Sequence, residues 1–122
     1  MIGIDIIEID RIRAATEQLG TRFLRRVYTT QELSLYASSP SSLAAHFAAK
    51  ESVMKVLGGE LFSWKEIEVL SLPNGQPVVN LSGQARKRAG ELGLASLEVS
   101  LSHTKEYAAA VAIGVKGAEI QG

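Results

Sequence analysis

The 122-residue chain contains no cysteine. A disulfide framework, a thiolate metal site and a thiol nucleophile are therefore excluded. The sequence also lacks any apolar run near the roughly 18 residues that a membrane helix needs, and it has no basic leader before a long apolar segment. These absences predict a protein of the reducing cytoplasm that has no membrane partner.

The sequence has no net excess of either charge, because thirteen lysines and arginines balance thirteen aspartates and glutamates. The positive charge is nevertheless unevenly distributed along the chain. Residues 11–26 contain five arginines and a single acidic residue, Glu17. A basic surface on a neutral protein indicates an acidic partner and argues against general nucleic-acid binding. The five residues are Arg11, Arg13, Arg22, Arg25 and Arg26.

Regular alternation of strands and helices is also missing, which argues against a doubly wound parallel sheet. The pattern predicts an α+β fold in which a mainly antiparallel sheet packs against helices, one of them long. The predicted strands are residues 2–9, 67–72, 77–81, 97–103 and 107–115, and the predicted helices end near residues 19, 27, 37, 57 and 92. Asp10, Thr29 and either Ser41 or Ser42 are the expected N-caps of the first, third and fourth helices. No linker or repeat interrupts the pattern, so residues 1–122 are expected to form one domain.

Asp5 is a charged residue at a position where packing favours an apolar one. It lies between Gly3 and Ile7 on one face of the first strand, and isoleucines at positions 2, 4 and 6 form the other face. A carboxylate in a largely buried strand is costly unless it is paired, hydrogen-bonded or bound to a cation. Asp5 is therefore either a structural group that meets backbone amides or an arginine, or a metal ligand.

Glu51 and Lys55 lie four residues apart in the predicted long helix, and Phe47 lies one turn before them on the same face. A glutamate before a lysine at this spacing is a common surface pair, worth about 0.2–0.5 kcal/mol. The surrounding turns are rich in alanine, however, and allow another element to approach closely. The pair is either a solvated surface pair or part of a site.

Ser102 and His103 are adjacent at the end of a predicted strand. Adjacent strand residues point to opposite faces, so these two do not form a nucleophile–base dyad. Binding groups are often displayed at strand ends, although a solvated histidine in a turn is the more common case.

Two carboxylates on different elements, Asp5 and Glu51, could hold one hard cation. Magnesium keeps several waters and is commonly bound by one or two carboxylates together with substrate phosphates. Lys55, one turn beyond Glu51, would face those phosphates as a mobile positive charge. The pattern predicts phosphate chemistry but does not identify the substrate.

Four segments together resemble the bacterial holo-[acyl-carrier-protein] synthases, the short branch of the phosphopantetheinyl transferases. They occur in the family's order and at similar separations, and the resemblance spans nearly the full chain. The segments are Gly3-Ile4-Asp5-Ile6, Phe47-Ala48-Ala49-Lys50-Glu51-Ser52 with Lys55, Asn74-Gly75-Gln76-Pro77 and Ser100-Leu101-Ser102-His103-Thr104. The joint pattern is specific, whereas the first segment alone would indicate nothing.

The resemblance implies transfer of the 4′-phosphopantetheine group from coenzyme A to a serine of apo acyl carrier protein. Adenosine 3′,5′-bisphosphate would leave, and the activity would serve fatty acid biosynthesis. The cofactor would be Mg²⁺, held by Asp5 and Glu51 with the coenzyme diphosphate and waters. Coenzyme A would contact Lys55, His103 and Thr104.

The resemblance also implies catalytic roles for Glu51, Lys55 and His103. Glu51, directly or through a metal-bound water, is the candidate base for the attacking serine. Lys55 would stabilise charge on the leaving side. The arginine-rich segment, especially Arg11 with Arg22 and Arg26, would dock the acidic recognition helix of the carrier protein.

Members of the family are typically trimers with active sites between subunits. The resemblance therefore implies a homotrimer in which His103 comes from the neighbour of the chain that supplies Asp5 and Glu51. Two positions depart from the family pattern. His46 stands where arginine is common, so a cation contact there is expected to be weaker or pH-dependent. Ile7 stands where longer relatives place a further acid, and water is expected to fill that coordination position.

Two other functions fit the same residues. Another metal-dependent phosphoryl-transfer or hydrolytic enzyme would act on a nucleotide without a protein acceptor. A non-catalytic oligomeric binding module would make Asp5 structural, and Asp5→Ala would then damage folding as much as function. Mass analysis of an apo carrier protein after incubation with coenzyme A and magnesium distinguishes these functions from the transferase.

Overall fold

The computed structural model describes residues 1–59 and 63–117. The strands are β1 (Ile2–Glu8), β2 (Ile67–Ser71), β3 (Pro77–Leu81), β4 (Leu94–His103) and β5 (Tyr107–Lys116). The helices are α1 (Ile9–Leu19), α2 (Thr21–Val27), α3 (Thr30–Tyr36), α4 (Pro40–Leu57) and α5 (Gly83–Glu91), and a 3₁₀ turn spans Trp64–Glu66. In these ranges no helix combines the length and the apolar character needed to cross a membrane.

The strands form two antiparallel sheets. The larger has the order β1-β5-β4, and the smaller is the β2–β3 hairpin around Asn74 and Gly75. The α+β class with antiparallel pairing is confirmed. The part of the chain that the structure describes contains each of the five predicted strands, although β4 begins three residues earlier than expected.

The core lies between α4 and the β1-β5-β4 sheet. Both surfaces carry small residues, with buried alanines on α4 and at alternate positions of β5, and this lets the helix lie close against the strands. The alanines are Ala44, Ala45, Ala48 and Ala49 on α4 and Ala108, Ala110 and Ala112 on β5. β1 has the predicted faces: Gly3 and Ile7 are buried, whereas Ile2, Ile4 and Ile6 are exposed.

β1 and α4 approach each other closely at Gly3. A Cβ built on Gly3 would lie 2.0 Å from the carbonyl oxygen of Ser52 and 3.1 Å from Cβ of Lys55. The carbonyl belongs to a helix backbone and cannot rotate away, so only glycine fits without a shift of α4. Because Asp5 lies on β1 and Glu51 on α4, this contact also sets the separation of the two carboxylates.

We expect Gly3→Ala to destabilise the fold by about 1–3 kcal/mol, the usual cost of overpacking a core. It should also lower any activity that needs Asp5 and Glu51 together, because α4 must move away from β1. Urea denaturation measures the first effect. Gly90→Ala is the matched control: nothing lies within 4 Å of the added methyl group, and helix propensity favours alanine there. Equal stability of the Gly3 variant and the wild type would contradict the close approach.

Two predicted helix caps are wrong. Asp10 does not cap α1: the helix begins at Ile9, so its N-cap is Glu8, whose side chain makes no capping hydrogen bond. β1 passes into α1 without a loop, and the amide of Ile9 donates instead to the carbonyl of Glu106, at 2.8 Å. α4 is capped by Ser39 and not by Ser41 or Ser42, because Pro40, with its fixed φ, suits the first helical position. The Thr29–Glu32 capping box is confirmed.

A fully buried ion pair ties α3, α4 and the smaller sheet together. Lys50 Nζ lies 2.7 Å from Glu32 Oε1, and both side chains are 0% exposed. Lys50 also donates to the carbonyls of Trp64 and Ile67, and Glu32 accepts from the amides of Thr29 and Val69 at 2.8 Å. Burial lowers the pKa of Lys50, and the Glu32 carboxylate opposes this. The ammonium group of Lys50 and the carboxylate of Glu32 thus each have backbone hydrogen-bond partners in addition to one another.

Candidate active site

Asp5 and Glu51 line one cavity of about 320 Å³ beneath α1. Alternate residues of β1 share a face, so Asp5 lies on the same side of the strand as Gly3 and Ile7, the side that packs toward α4. Glu51 projects from the middle of α4. Arg11 of α1 and Phe47, one turn before Glu51, line the same cavity. The structure therefore brings together the two carboxylates that the sequence placed on separate elements.

Lys55 lies beside Asp5. Its Nζ donates to the carbonyl of Ile4 at 2.7 Å and lies 3.4 Å from Asp5 Oδ1. The lysine side chain is 53% exposed, so this ion pair adds little stability and the ammonium group can leave it. Lys55 is thus held beside Asp5 and remains free to turn toward an anion.

The pKa of Glu51 is raised above its ordinary value of 4.5. Burial is the main cause, the negative charge of Asp5 adds to it, and Lys55 opposes both. The two carboxylates therefore repel each other across the cavity that they share. A divalent cation between them would remove that repulsion.

The donor set fits magnesium. Within the described residues no group of three or more His, Cys, Asp and Glu side chains could hold a metal ion. The chain offers Asp5 and Glu51, two oxygen ligands in a solvent-accessible cavity, and this suits an ion that keeps waters and takes further ligands from substrate phosphates. Asp5 and Glu51 would hold it.

Removal of the Glu51 charge is expected to stabilise the metal-free protein. Because the folded state binds the Glu51 proton more tightly than the unfolded chain does, stability falls as pH rises from the ordinary pKa through the raised one. Glu51→Gln should therefore melt a few degrees higher than the wild type at pH 7 in EDTA. The difference should vanish at a pH below the ordinary carboxyl pKa, where both side chains are neutral. Thermal melts at the two pH values measure it, and a lower melting temperature for the variant at pH 7 would count against the repulsion.

A second cavity, of about 240 Å³, gathers the two motifs from the later part of the chain. It is lined by His46 of α4, by Gly75 and Pro77 of the β2–β3 hairpin, and by Ser102 and His103 at the end of β4. The hairpin motif and the strand-end motif, far apart in sequence, thus meet at one place.

His103 does not join Asp5 and Glu51 within one chain. The two cavities have no lining residue in common among the described residues. β5 lies between β1 and β4, and Asp5 pairs with Ala110 whereas His103 pairs with Ala108, so Asp5 and His103 lie two strand spacings and two residues apart, roughly 12 Å. Thr104 lies with His103 in the turn, where its hydroxyl accepts from the amide of Tyr107 at 3.1 Å. One chain therefore carries two incomplete groups of predicted site residues.

The predicted docking arginines are exposed, and they lie on α1 and α2. Arg22 and Arg26 are one turn apart on α2. Arg11 lines the Asp5–Glu51 cavity, so the basic surface continues into the candidate site. Arg13 differs from these three because Asp10 pairs with it.

Sequence reasoning did not single out the role of Lys50 in the core or the contact of Lys55 with the Ile4 carbonyl. A signal for Lys50 was available: it directly follows Ala48 and Ala49, and Phe47, Val53 and Met54 lie one turn away on its face of the helix. Its partner was also visible, since Glu32 is the acid of the capping box. Nothing local in the sequence links the two.

The sequence model of the 4′-phosphopantetheinyl transferase superfamily matches residues 1–112. The holo-[acyl-carrier-protein] synthase of Dehalococcoides mccartyi (strain CBDB1) is 54% identical over 112 residues, which cover 91% of this chain and 94% of the relative. The holo-[acyl-carrier-protein] synthase of Herpetosiphon aurantiacus is 43% identical, and the match covers 93% of this chain and 96% of the relative. The crystal structure of Helicobacter pylori holo-[acyl-carrier-protein] synthase in complex with coenzyme A has a TM-score of 0.85 at 32% identity. The match covers 94% of this chain and all of that one.

A fold of this form, with two carboxylates in one cavity and matches of this extent, defines the class of the protein: the chain belongs to the 4′-phosphopantetheinyl transferase superfamily. Within that superfamily its relatives are holo-[acyl-carrier-protein] synthases, and the resemblance seen in the four sequence segments is confirmed. The chain is an enzyme of this class.

Proposed function

We propose that the protein transfers 4′-phosphopantetheine from coenzyme A to a serine of an apo acyl carrier protein, with Mg²⁺ as cofactor. The observation that carries this proposal is the shared cavity of Asp5 and Glu51, with Lys55 paired to Asp5. Adenosine 3′,5′-bisphosphate is the second product, and the holo carrier protein serves fatty acid biosynthesis. Residues 1–122 form one transferase domain, a proposal that the family match over residues 1–112 supports.

In the proposed mechanism Asp5 and Glu51 would hold Mg²⁺, and the ion would supply neutralisation of charge on the coenzyme diphosphate. Lys55 turns from Asp5 toward the diphosphate and stabilises charge on the leaving oxygen. Glu51, directly or through a water, is the proposed acceptor of the proton of the attacking serine hydroxyl. The serine oxygen forms a bond to the phosphorus next to pantetheine, and the bond from that phosphorus to the bridging oxygen of the diphosphate breaks.

We further propose that the active protein is a homotrimer whose sites lie between subunits. His103 and Thr104 then contact the coenzyme from the neighbour of the chain that supplies Asp5 and Glu51. Two observations support this arrangement. The Asp5 and His103 cavities are separate in one chain, and the outer face of the β1-β5-β4 sheet exposes apolar side chains that a neighbouring subunit would cover. They are Ile2, Ile4, Ile6, Ile113 and Val115.

Arg11, Arg22 and Arg26 are the proposed docking residues for the acidic helix of the carrier protein. Their exposed charge would mainly speed the encounter, and salt would weaken it. The position of Arg11 in the wall of the Asp5–Glu51 cavity supports delivery of the acceptor serine to that site. We place the reaction in the cytoplasm, as the cysteine-free sequence favours.

The proposal is tested by incubating the protein with coenzyme A, Mg²⁺ and an apo acyl carrier protein, followed by intact mass measurement of the carrier. We expect one phosphopantetheine arm on each carrier molecule and no transfer in EDTA. Consumption of coenzyme A without a gain in carrier mass would favour the hydrolytic or other phosphoryl-transfer alternative. No reaction at all, with intact folding, would favour a binding module.

A further inference from the structure

Lys50 is a buried charged residue that the proposed mechanism does not use, and it is the neighbour of Glu51 in α4. Oxygens of three different segments bind its ammonium group. They are the Glu32 carboxylate of α3 at 2.7 Å, the Trp64 carbonyl of the 3₁₀ turn at 3.2 Å, and the carbonyl of Ile67, the first residue of β2. An ammonium group has three N–H donors, so each donor has an oxygen within the core and no water is needed to satisfy it.

The other side of α4 is held against β1. The carbonyl of Ser52 lies where a side chain at position 3 would have to fit, so the helix backbone rests directly on Gly3. With 3.6 residues per turn, Lys50 and Ser52 lie about 200° apart around the helix axis, and Glu51 lies between them. A rotation of α4 about its axis would turn Glu51 away from Asp5. The same rotation would pull the Lys50 ammonium group off its three oxygens.

Lys50 also supports one wall of the Asp5–Glu51 cavity. The indole ring of Trp64 stacks on the ring of Phe47, with centroids 4.7 Å apart, and Phe47 lines that cavity. Lys50 donates to the carbonyl of the same tryptophan. The wall and the direction of the Glu51 side chain therefore depend on one anchored ammonium group.

We propose that Lys50 is a positioning residue, whose ammonium group sets the rotation of α4 and so directs the Glu51 carboxylate into the cavity beside Asp5. This rests on the proposed function, in which Asp5 and Glu51 hold the metal ion. Lys50 is not among the described residues that line the cavity, and Glu32 matches its charge. It therefore acts through the placement of α4 and not as a cation in the site. Loss of groups that orient metal ligands commonly weakens metal binding or activity by about 10–100-fold.

The test uses the double variant Lys50→Met, Glu32→Gln, which removes the ammonium group without leaving an unpaired charge in the core. Val69→Ala is the matched control for stability. The Val69 side chain is fully buried on β2, so its truncation destabilises the fold, whereas its backbone amide still donates to Glu32 and every Lys50 contact remains. An effect of lower stability alone would therefore appear in both proteins.

Metal binding is measured first, without coenzyme or carrier protein, by electron paramagnetic resonance titration with Mn²⁺. This ion takes the same carboxylate and water ligands as Mg²⁺. We expect the double variant to bind Mn²⁺ about tenfold more weakly than the wild type, and Val69→Ala to match the wild type. Equal Mn²⁺ affinity of the double variant and the wild type would overturn the proposal.

Fluorescence gives a second readout that does not depend on metal or activity. Trp64 is the only tryptophan of the chain, so its emission reports on the stack with Phe47. Without the bond from Lys50 the Trp64 ring should be less well packed, and acrylamide should quench it more strongly in the double variant than in the wild type or Val69→Ala. Unchanged quenching in the double variant would contradict the role of Lys50 in the cavity wall.

The transfer assay separates this inference from the proposed function. The double variant should need about tenfold more Mg²⁺ for half its maximal rate. Its KM for the carrier protein should stay at the wild-type value, because the docking arginines lie on α1 and α2. If the wild type binds Mn²⁺ and modifies the carrier, and the double variant does both equally well, the Lys50 assignment alone is wrong. If the wild type does neither, both proposals are wrong.

Discussion

Asp5→Asn should lose transfer by about 100-fold or more while the protein still folds. The amide keeps the size of the carboxylate and a hydrogen-bonding oxygen near Lys55, so the local packing is unchanged. It removes the negative charge that a magnesium ion between Asp5 and Glu51 requires. The lost ion pair with Lys55 is largely exposed and should cost less than about 1 kcal/mol of stability. The rate is followed by intact mass of the carrier protein across a magnesium titration.

Asp10→Asn is the matched control. It neutralises an exposed carboxylate on α1 that pairs only with Arg13 and lies outside the cavity. We expect its rate to equal that of the wild type. If Asp5→Asn also kept the wild-type rate at every magnesium concentration, the metal assignment would be wrong. If it failed to fold, Asp5 would be structural, as the binding-module alternative predicts.

The same variant tests whether the site is shared between subunits. Asp5→Asn and His103→Ala chains, each impaired alone, should regain activity when they are co-expressed. In a mixed trimer some sites combine Asp5 of one chain with His103 of the other. Recovery to a substantial fraction of the wild-type rate is expected from such hybrid sites. If the mixture stayed as inactive as the separate variants, while native mass showed mixed trimers, Asp5 and His103 would not act at one site.

Lys50→Ala should be the most destabilising single substitution proposed, at about 3–5 kcal/mol. Glu32 would be left in the core without its cation, or protonated at a comparable cost. Since domains of this kind are stable by about 5–15 kcal/mol, this is a large share of the total. Urea denaturation followed by circular dichroism measures the change. Lys87→Ala, on the exposed surface of α5, is the lysine control and should stay within about 0.5 kcal/mol of the wild type.

The double variant Lys50→Met, Glu32→Gln separates the ion pair from the packing. The methionine fills most of the space of the lysine stem, and the glutamine side chain still accepts at one oxygen. We expect it to be far more stable than Lys50→Ala, because no uncompensated charge remains. A double variant as unstable as Lys50→Ala would show that packing, and not charge pairing, sets the cost.

The regular elements were predictable because their signals are local. The alternation of Gly3, Asp5 and Ile7 with the three isoleucines defines both faces of β1, and the Thr29–Glu32 capping box places the start of α3. The errors arose where a neighbour in space replaced a local signal. Ile9 opens α1 without an N-cap side chain because the Glu106 carbonyl, nearly a hundred residues away, accepts from its amide. At α4 the deciding signal was local. Several neighbouring serines could serve as the N-cap, and Ser39 does so because Pro40 takes the first helical position.

The sequence alone determined the chemistry of this protein. It excluded thiol chemistry, placed two carboxylates and a lysine in an order typical of the transferase family, and left His46 in place of a common arginine. Only the tertiary structure decided which of these side chains meet. The separation of Asp5 and Glu51 depends on the contact of Gly3 with Ser52, and that of Asp5 and His103 depends on the position of β5 between β1 and β4. Such long-range packing has no local sequence pattern, because each contact joins residues whose own neighbours in the chain do not reveal the partner.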